Sequence, residues 1–134
     1  MGKDGFKELV VWQKAKDLAV IVYRVSDTGS LSYDFSLRDQ IRKSAVSVAT
    51  NLAEGDERNR DNDSIRFFQI AKGSLAELRT QLQIACMDKS AYESLDQECT
   101  RLGKMMGSLI QARYRAPRQL PLAPRPSKLA RKTT

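Results

Sequence analysis

Twelve cations in this chain have the type and grouping for phosphate chemistry. Arg38, Arg42 and Lys43 fall early in one helical pattern, and Arg58 and Arg60 lie in the polar segment behind it. Arg113, Arg115, Arg118, Arg125, Lys128, Arg131 and Lys132 close the sequence. Guanidinium and ammonium groups neutralise a phosphate backbone and release its counterions, which supplies affinity without reading bases. No base-reading motif accompanies them, so any RNA or DNA taken up should be bound without sequence preference. Asp39, Asp56, Glu57 and Asp61 interleave the first group, as on an ordinary solvated face. The terminal group equally suits solubility or an acidic protein partner.

Residues for catalysis are few. The chain has no histidine, which removes the commonest general base and metal ligand. Glu54 and Glu77 could meet inside a bundle, but a di-iron carboxylate site needs Glu-x-x-His, and there is none. No phosphate loop, nucleophile elbow or dinucleotide fingerprint occurs. Cys86 and Cys99 fall near apolar positions and read as small buried thiols; without histidine they make no zinc pattern. The expectation is a binding protein, not an enzyme, with no cofactor and no metal.

A third group suggests hydrogen bonding between helices. Gln40, Ser44, Ser47, Asn51 and Glu54 recur at helical spacing, and Ser74, Glu77 and Gln81 form a similar stripe later. Exposed helix faces usually carry more long charged residues. These short polar faces are therefore expected to meet another copy of the chain, with Glu54 or Glu77 bonded across the contact.

Four amphipathic segments must position these groups. The first runs from about Lys7 to Val25, with Trp12, Ala15, Ala19 and Val22 as one stripe and Val11, Leu18, Ile21 and Val25 widening it. Gly29 is available as a left-handed cap after it. The second, Leu37 to Gly55, carries Leu37, Ile41, Ala45, Val48 and Leu52, with Ser36 and Asp39 as a capping arrangement. An eight-residue polar loop, Asp56 to Asp63, should lead to a third helix from about Ser64 to Asp88, capped by Asp61 or Asp63. Its seam is Phe68, Ala71, Leu75, Leu78, Leu82 and Ala85, and Gly73 inside it should permit a close contact. Ser90 and Glu93 form a capping box for a fourth helix ending near Tyr114. Short connections then imply an all-α, antiparallel up-down-up-down four-helix bundle over residues 1–114, with a Pro/Arg/Lys-rich tail, residues 115–134, expected to be disordered.

The 134 residues suit one domain. Up to Ala112 there are 16 Lys plus Arg and 16 Asp plus Glu, so the formal charge of +7 and all four prolines belong to residues 113–134. No apolar run is long enough to span a bilayer, and the first residues lack the apolar centre of a signal peptide, so a cytoplasmic location without membrane contact is expected.

Four ordered blocks carry a resemblance: Phe6-Lys-Glu-Leu-Val-Val-Trp-Gln-Lys-Ala15, Leu37-Arg-Asp-Gln-Ile-Arg-Lys-Ser-Ala-Val-Ser-Val48, Asn51-Leu-Ala-Glu-Gly55 and Phe67-Phe-Gln-Ile-Ala-Lys-Gly-Ser-Leu-Ala-Glu-Leu78. Together they resemble the bacterial four-helix-bundle proteins encoded in intervening sequences of large-subunit ribosomal RNA genes. A related branch is the accessory protein of diversity-generating retroelements. The resemblance implies a small cytosolic bundle that assembles with itself into a ring of five. The retroelement branch binds nucleic acid and a reverse transcriptase; the latter partner is not carried over. That leaves RNA or DNA as the expected ligand, with an unidentified protein as the alternative. Two departures stand out. Ala49 occupies a position where the family commonly has proline, so the helix should be less kinked there. Gly29-Ser30 stands where Phe-Pro is common.

Overall fold

Four runs with apolar residues at three- and four-residue spacing become four helices in the computed structural model, which describes residues 5–85 and 87–115. They are α1 (Val10–Val25), α2 (Phe35–Asp56), α3 (Asp61–Ile84) and α4 (Lys89–Arg115). Each packs on its chain neighbour, and α4 returns to α1, so the bundle closes as a four-cornered arrangement. The core takes Val11, Ala15, Leu18 and Val22 from α1, then Ile41, Ala45, Val48 and Leu52 from α2. Phe68, Ala71, Leu75, Leu78 and Leu82 of α3 meet Leu95, Cys99, Leu102, Met106 and Ile110 of α4. Each large side chain buried this way contributes roughly 1.5–3 kcal/mol. Ile21, expected to widen the α1 stripe, is exposed. Of the expected tail only Arg115 is described, as the last residue of α4; residues 116–134 lie outside the described residues, as does Cys86.

The helix ends depart from expectation. The first segment does not begin as α-helix at Lys7: Gly5–Glu8 is a 3-10 helix, Leu9 is extended, and α1 starts at Val10. Phe6 packs edge-on against Trp12, with ring centroids 5.0 Å apart, and folds this segment back on α1. Gly29 does adopt φ 63°, but it opens a second 3-10 helix, Gly29–Ser32, while Ser26 ends α1. Ser36 and Asp39 do not cap α2; Asp34 does, accepting from the Leu37 amide at 3.2 Å. Ser90 likewise gives way to Asp88, which accepts from the Ala91 amide at 3.2 Å. In both cases an aspartate two residues upstream of the serine occupies the position before the first helical residue, where a carboxylate satisfies an orphan amide and meets the positive helix end.

The polar loop from Asp56 to Asp63 is shorter than expected. Asp56 is still helical and buried, α3 already begins at Asp61, and only residues 57–60 connect them. Neither Asp61 nor Asp63 caps α3; Arg60 holds that position without a side-chain bond.

Gly73 is exposed, and a Cβ there would meet nothing within 4 Å, so it mediates no close contact. That role belongs to Gly55, where a Cβ would stand 2.6 Å from Phe68 Cε1.

Candidate binding surfaces

The two polar stripes do come together, but inside one chain. Ser47 Oγ on α2 lies 2.8 Å from Ser74 Oγ on α3. Asn51 Nδ2 donates to the Ser47 carbonyl at 2.9 Å and to its hydroxyl at 3.1 Å. Ser44 and Ser74 are buried. Small side chains let α2 and α3 approach, and the hydroxyls satisfy each other without a second copy. Gln81 is half-buried, and its Oε1 is buried without a hydrogen-bond partner among the described residues. Gln40, Glu54 and Glu77 remain exposed, with Glu54 3.9 Å from Arg58. The expected contact between subunits is thus, in its centre, a seam between helices of the same subunit.

The cations of the second helix largely serve the fold as well. Arg42 reaches back to the end of α1. Its Nε donates to Ser26 Oγ at 2.7 Å, and its Nη2 donates to Asp27 Oδ1 at 2.7 Å and to the Tyr23 carbonyl at 3.3 Å. The guanidinium also stacks 4.6 Å from the Tyr23 ring. A cation here complements the negative end of α1, and these contacts tie α2 to that end. Arg38 is half-buried, stacks 4.8 Å from Phe35 and donates to the Ser32 carbonyl at 3.4 Å. Arg58 stacks 4.4 Å from Phe67. Lys43 and Arg60 are exposed.

Arg113 is the clearest departure. It is 8% exposed and points into the bundle end, not to solvent. Its Nη2 lies 3.2 Å from Asp56 Oδ1 and its Nη1 3.9 Å from Asp61 Oδ1, above the Phe68 ring at 5.2 Å. This cation explains how Asp56 can be helical and buried: the carboxylate is desolvated against an opposite charge. Arg115 is exposed. Arg118, Arg125, Lys128, Arg131 and Lys132 lie outside the described residues.

An apolar trough between α1 and α2 is the surface that sequence reading missed. Trp12, Val20 and Tyr23 form one wall, Val46 and Ala53 the other, and Ala49 lies at the floor. Lys16 and Arg24 stand on the rim. Val20 is 40% exposed, Tyr23 44% and Val46 38%, and they adjoin one another, unlike the scattered apolar residues of ordinary surfaces. The signal is present as surplus: these residues lie beyond the stripe each helix needs for its core. With Ala49 in place of a proline, α2 runs unbroken from Phe35 to Asp56 along this wall.

Cys99 is buried, and its burial pushes the thiol from 9.0 up to about 11, with Arg79 pulling the other way and Asp96 and Glu98 adding to the rise. In a Cys86→Ser variant at pH 8, iodoacetamide should leave native Cys99 unmodified and should label it fully in urea, because the thiolate is the nucleophile. Linkage sets the sign for stability. Between pH 9.0 and about 11 the unfolded thiol loses its proton while the folded one keeps it, so this group's contribution falls as pH rises through that window. Rapid native labelling at pH 8 would contradict the burial.

Taken together, the molecule is a small four-helix bundle with an internally bonded α2–α3 seam, a buried ion pair at one end and an open apolar trough. A family model, 23S rRNA-intervening sequence protein, matches residues 7–108. The chain belongs to that family. Among solved structures it is similar to a protein of unknown function from the S23 ribosomal protein family of Bacteroides thetaiotaomicron. The two are 23% identical with a TM-score of 0.69, covering 75% of this chain and 98% of that one, a likeness of fold. No curated protein matches. No helix among the described residues is long and apolar enough to cross a membrane.

Proposed function

We propose that this protein acts by binding and not by catalysis. In this reading it is a cytoplasmic homo-oligomer, a ring of five as the family resemblance implies, that takes up RNA or DNA without sequence preference. The α1–α2 trough carries the assembly reading. An adjoining set of half-exposed Val20, Tyr23 and Val46 leaves apolar area in water that a second copy would cover. A five-fold ring needs a head-to-tail contact, so the trough must meet a different surface of its neighbour. Ile70 and Ile84, both exposed and two heptads apart on α3, offer such a surface. The nucleic-acid reading is supported by the excess of cations toward the C-terminus and by the ribosomal RNA context in the family's description.

The same trough supports the second reading, a scaffold for another protein's helix, since an apolar groove accepts an amphipathic helix of any origin. Light scattering on the eluting protein separates the two. The wild type should have about five times the mass of the 15.1 kDa chain, and Val46→Glu should reduce it to a single subunit with unchanged helicity. A wild type already monomeric at micromolar concentration would remove the ring and leave the scaffold.

A further inference from the structure

We propose that the outer face of α4 is a strip that binds the phosphate backbone of a nucleic acid. This rests on the nucleic-acid reading above and adds a place for it. The last acid of the chain is Glu98; from Cys99 onward there are nine Lys plus Arg and no Asp or Glu. Helical register sorts the α4 residues of this acid-free run onto two faces. Leu102, Met106, Ile110 and Arg113 are buried. Lys104, Ser108, Gln111 and Arg115, at spacings of four, three and four, are all exposed along one line. Arg113 turns inward to Asp56, so the outward set is a product of the fold and not of composition alone.

The strip has the chemistry that a polyanion needs. Lys104 and Arg115 stand at its ends, and neither holds an ion pair among the described residues. Arg101, one turn earlier, is paired with Glu98 and marks the boundary. Between the end cations, Ser108 and Gln111 offer an O–H and an N–H to phosphate oxygens. Gly107 and Ala112 lower the surface into a shallow depression lined with these four residues, and nothing stands within 4 Å of where a Gly107 Cβ would be. A sugar–phosphate chain can therefore approach the helix closely. Eleven residues of helix separate the end cations by about 16 Å, enough to bridge the two phosphate rails of a groove about 12 Å wide. Tyr114, next to Arg115 in sequence and 59% exposed, offers a ring on which an unpaired base can stack.

Two features favour nucleic acid over an acidic protein. The depression holds no apolar side chain larger than alanine, whereas protein interfaces concentrate their energy in large buried anchors. Its donors are also neutral or cationic throughout, with no acceptor carboxylate to orient a peptide's own amides. The contrast with α2 is direct: Arg42 and Arg38 are engaged at the α1 end and the turn after it, while Lys104 and Arg115 are available.

Fluorescence anisotropy of the full chain with a labelled 20-nucleotide RNA hairpin, and with a 20-base-pair DNA duplex, across a series of KCl concentrations provides the test. Lys104→Gln/Arg115→Gln should weaken binding at least tenfold and flatten the log–log salt slope by about two phosphate contacts. Lys14→Gln/Lys72→Gln, which removes the same charge from exposed positions on α1 and α3, should change affinity less than threefold. Equal losses in both variants would mean that net charge acts without a site, and wild-type affinity in Lys104→Gln/Arg115→Gln would mean that the strip is not used. Either result overturns this inference while leaving nucleic-acid binding in place. A wild type that binds neither probe at 50 mM KCl would overturn that broader reading together with the strip. A poly-glutamate peptide bound as tightly as the hairpin would reassign the surface to an acidic protein.

Discussion

Arg113→Ala should destabilise the bundle by about 3–5 kcal/mol, the range seen when one partner of a buried ion pair is removed. The cost comes from what remains. Asp56 is 6% exposed and would keep a desolvated carboxylate with its principal cation gone, and Asp61 would lose a second contact at 3.9 Å. The guanidinium also covers the Phe68 ring, so apolar packing is lost with the charge. Urea unfolding of the single variant and of Arg113→Met/Asp56→Leu distinguishes charge from packing. The double variant, which removes both buried charges and refills the space, should recover much of the loss, because such pairs are weak net stabilisers. A cost below about 1 kcal/mol for Arg113→Ala, the level of a surface salt bridge, would show that water reaches this end of the bundle.

Two glycine-to-alanine substitutions should have opposite signs. Gly55→Ala places a methyl 2.6 Å from Phe68 Cε1, 2.8 Å from Cδ1 and 3.0 Å from Phe67 Cβ. The Phe68 ring is fully buried and cannot swing away, so α2 and α3 must separate. Overpacking of this kind costs about 1–3 kcal/mol, more than the helix-propensity gain of roughly 0.5–1 kcal/mol. Gly73→Ala has that gain and no clash, since its surroundings are open, and should raise stability by about 0.5–1 kcal/mol. Thermal melts of the pair would check it; a stable Gly55→Ala would mean that the α2–α3 crossing is looser than its geometry.

The core is legible in the sequence because burial repeats: Ile41, Ala45, Val48 and Leu52, or Leu95, Cys99, Leu102 and Met106, show their face by spacing alone. Asp56 and Arg113 carry the same signal, yet their charge suggests solvent. Asp56 falls four residues after Leu52 and Arg113 three after Ile110, both on the core stripe. A charged residue in core register can be buried if another chain segment brings its counterion, and that segment lies 57 residues away. The serine stripes pose the reverse difficulty. Their periodicity shows a junction, but spacing along one helix does not reveal whether the partner helix belongs to the same molecule. The trough is hidden because Val20, Tyr23 and Val46 become neighbours only when α1 and α2 are set side by side. Caps fail locally: serine and aspartate compete for the position before a helix, and at both Asp34 and Asp88 the carboxylate, which carries full charge to the positive helix end, holds it.

The Arg113 pair also has a mechanical meaning. Helix ends are where bundles fray first, and a load applied beyond residue 115 would ordinarily peel back the last turn of α4. Here that turn is tied sideways to the junction of the two central helices, at Asp56 and Asp61. The tie works as a strain relief on a cable: a pull on the chain beyond Arg115 is shared with the end of α2 and the start of α3 instead of falling on the last turn of α4 alone.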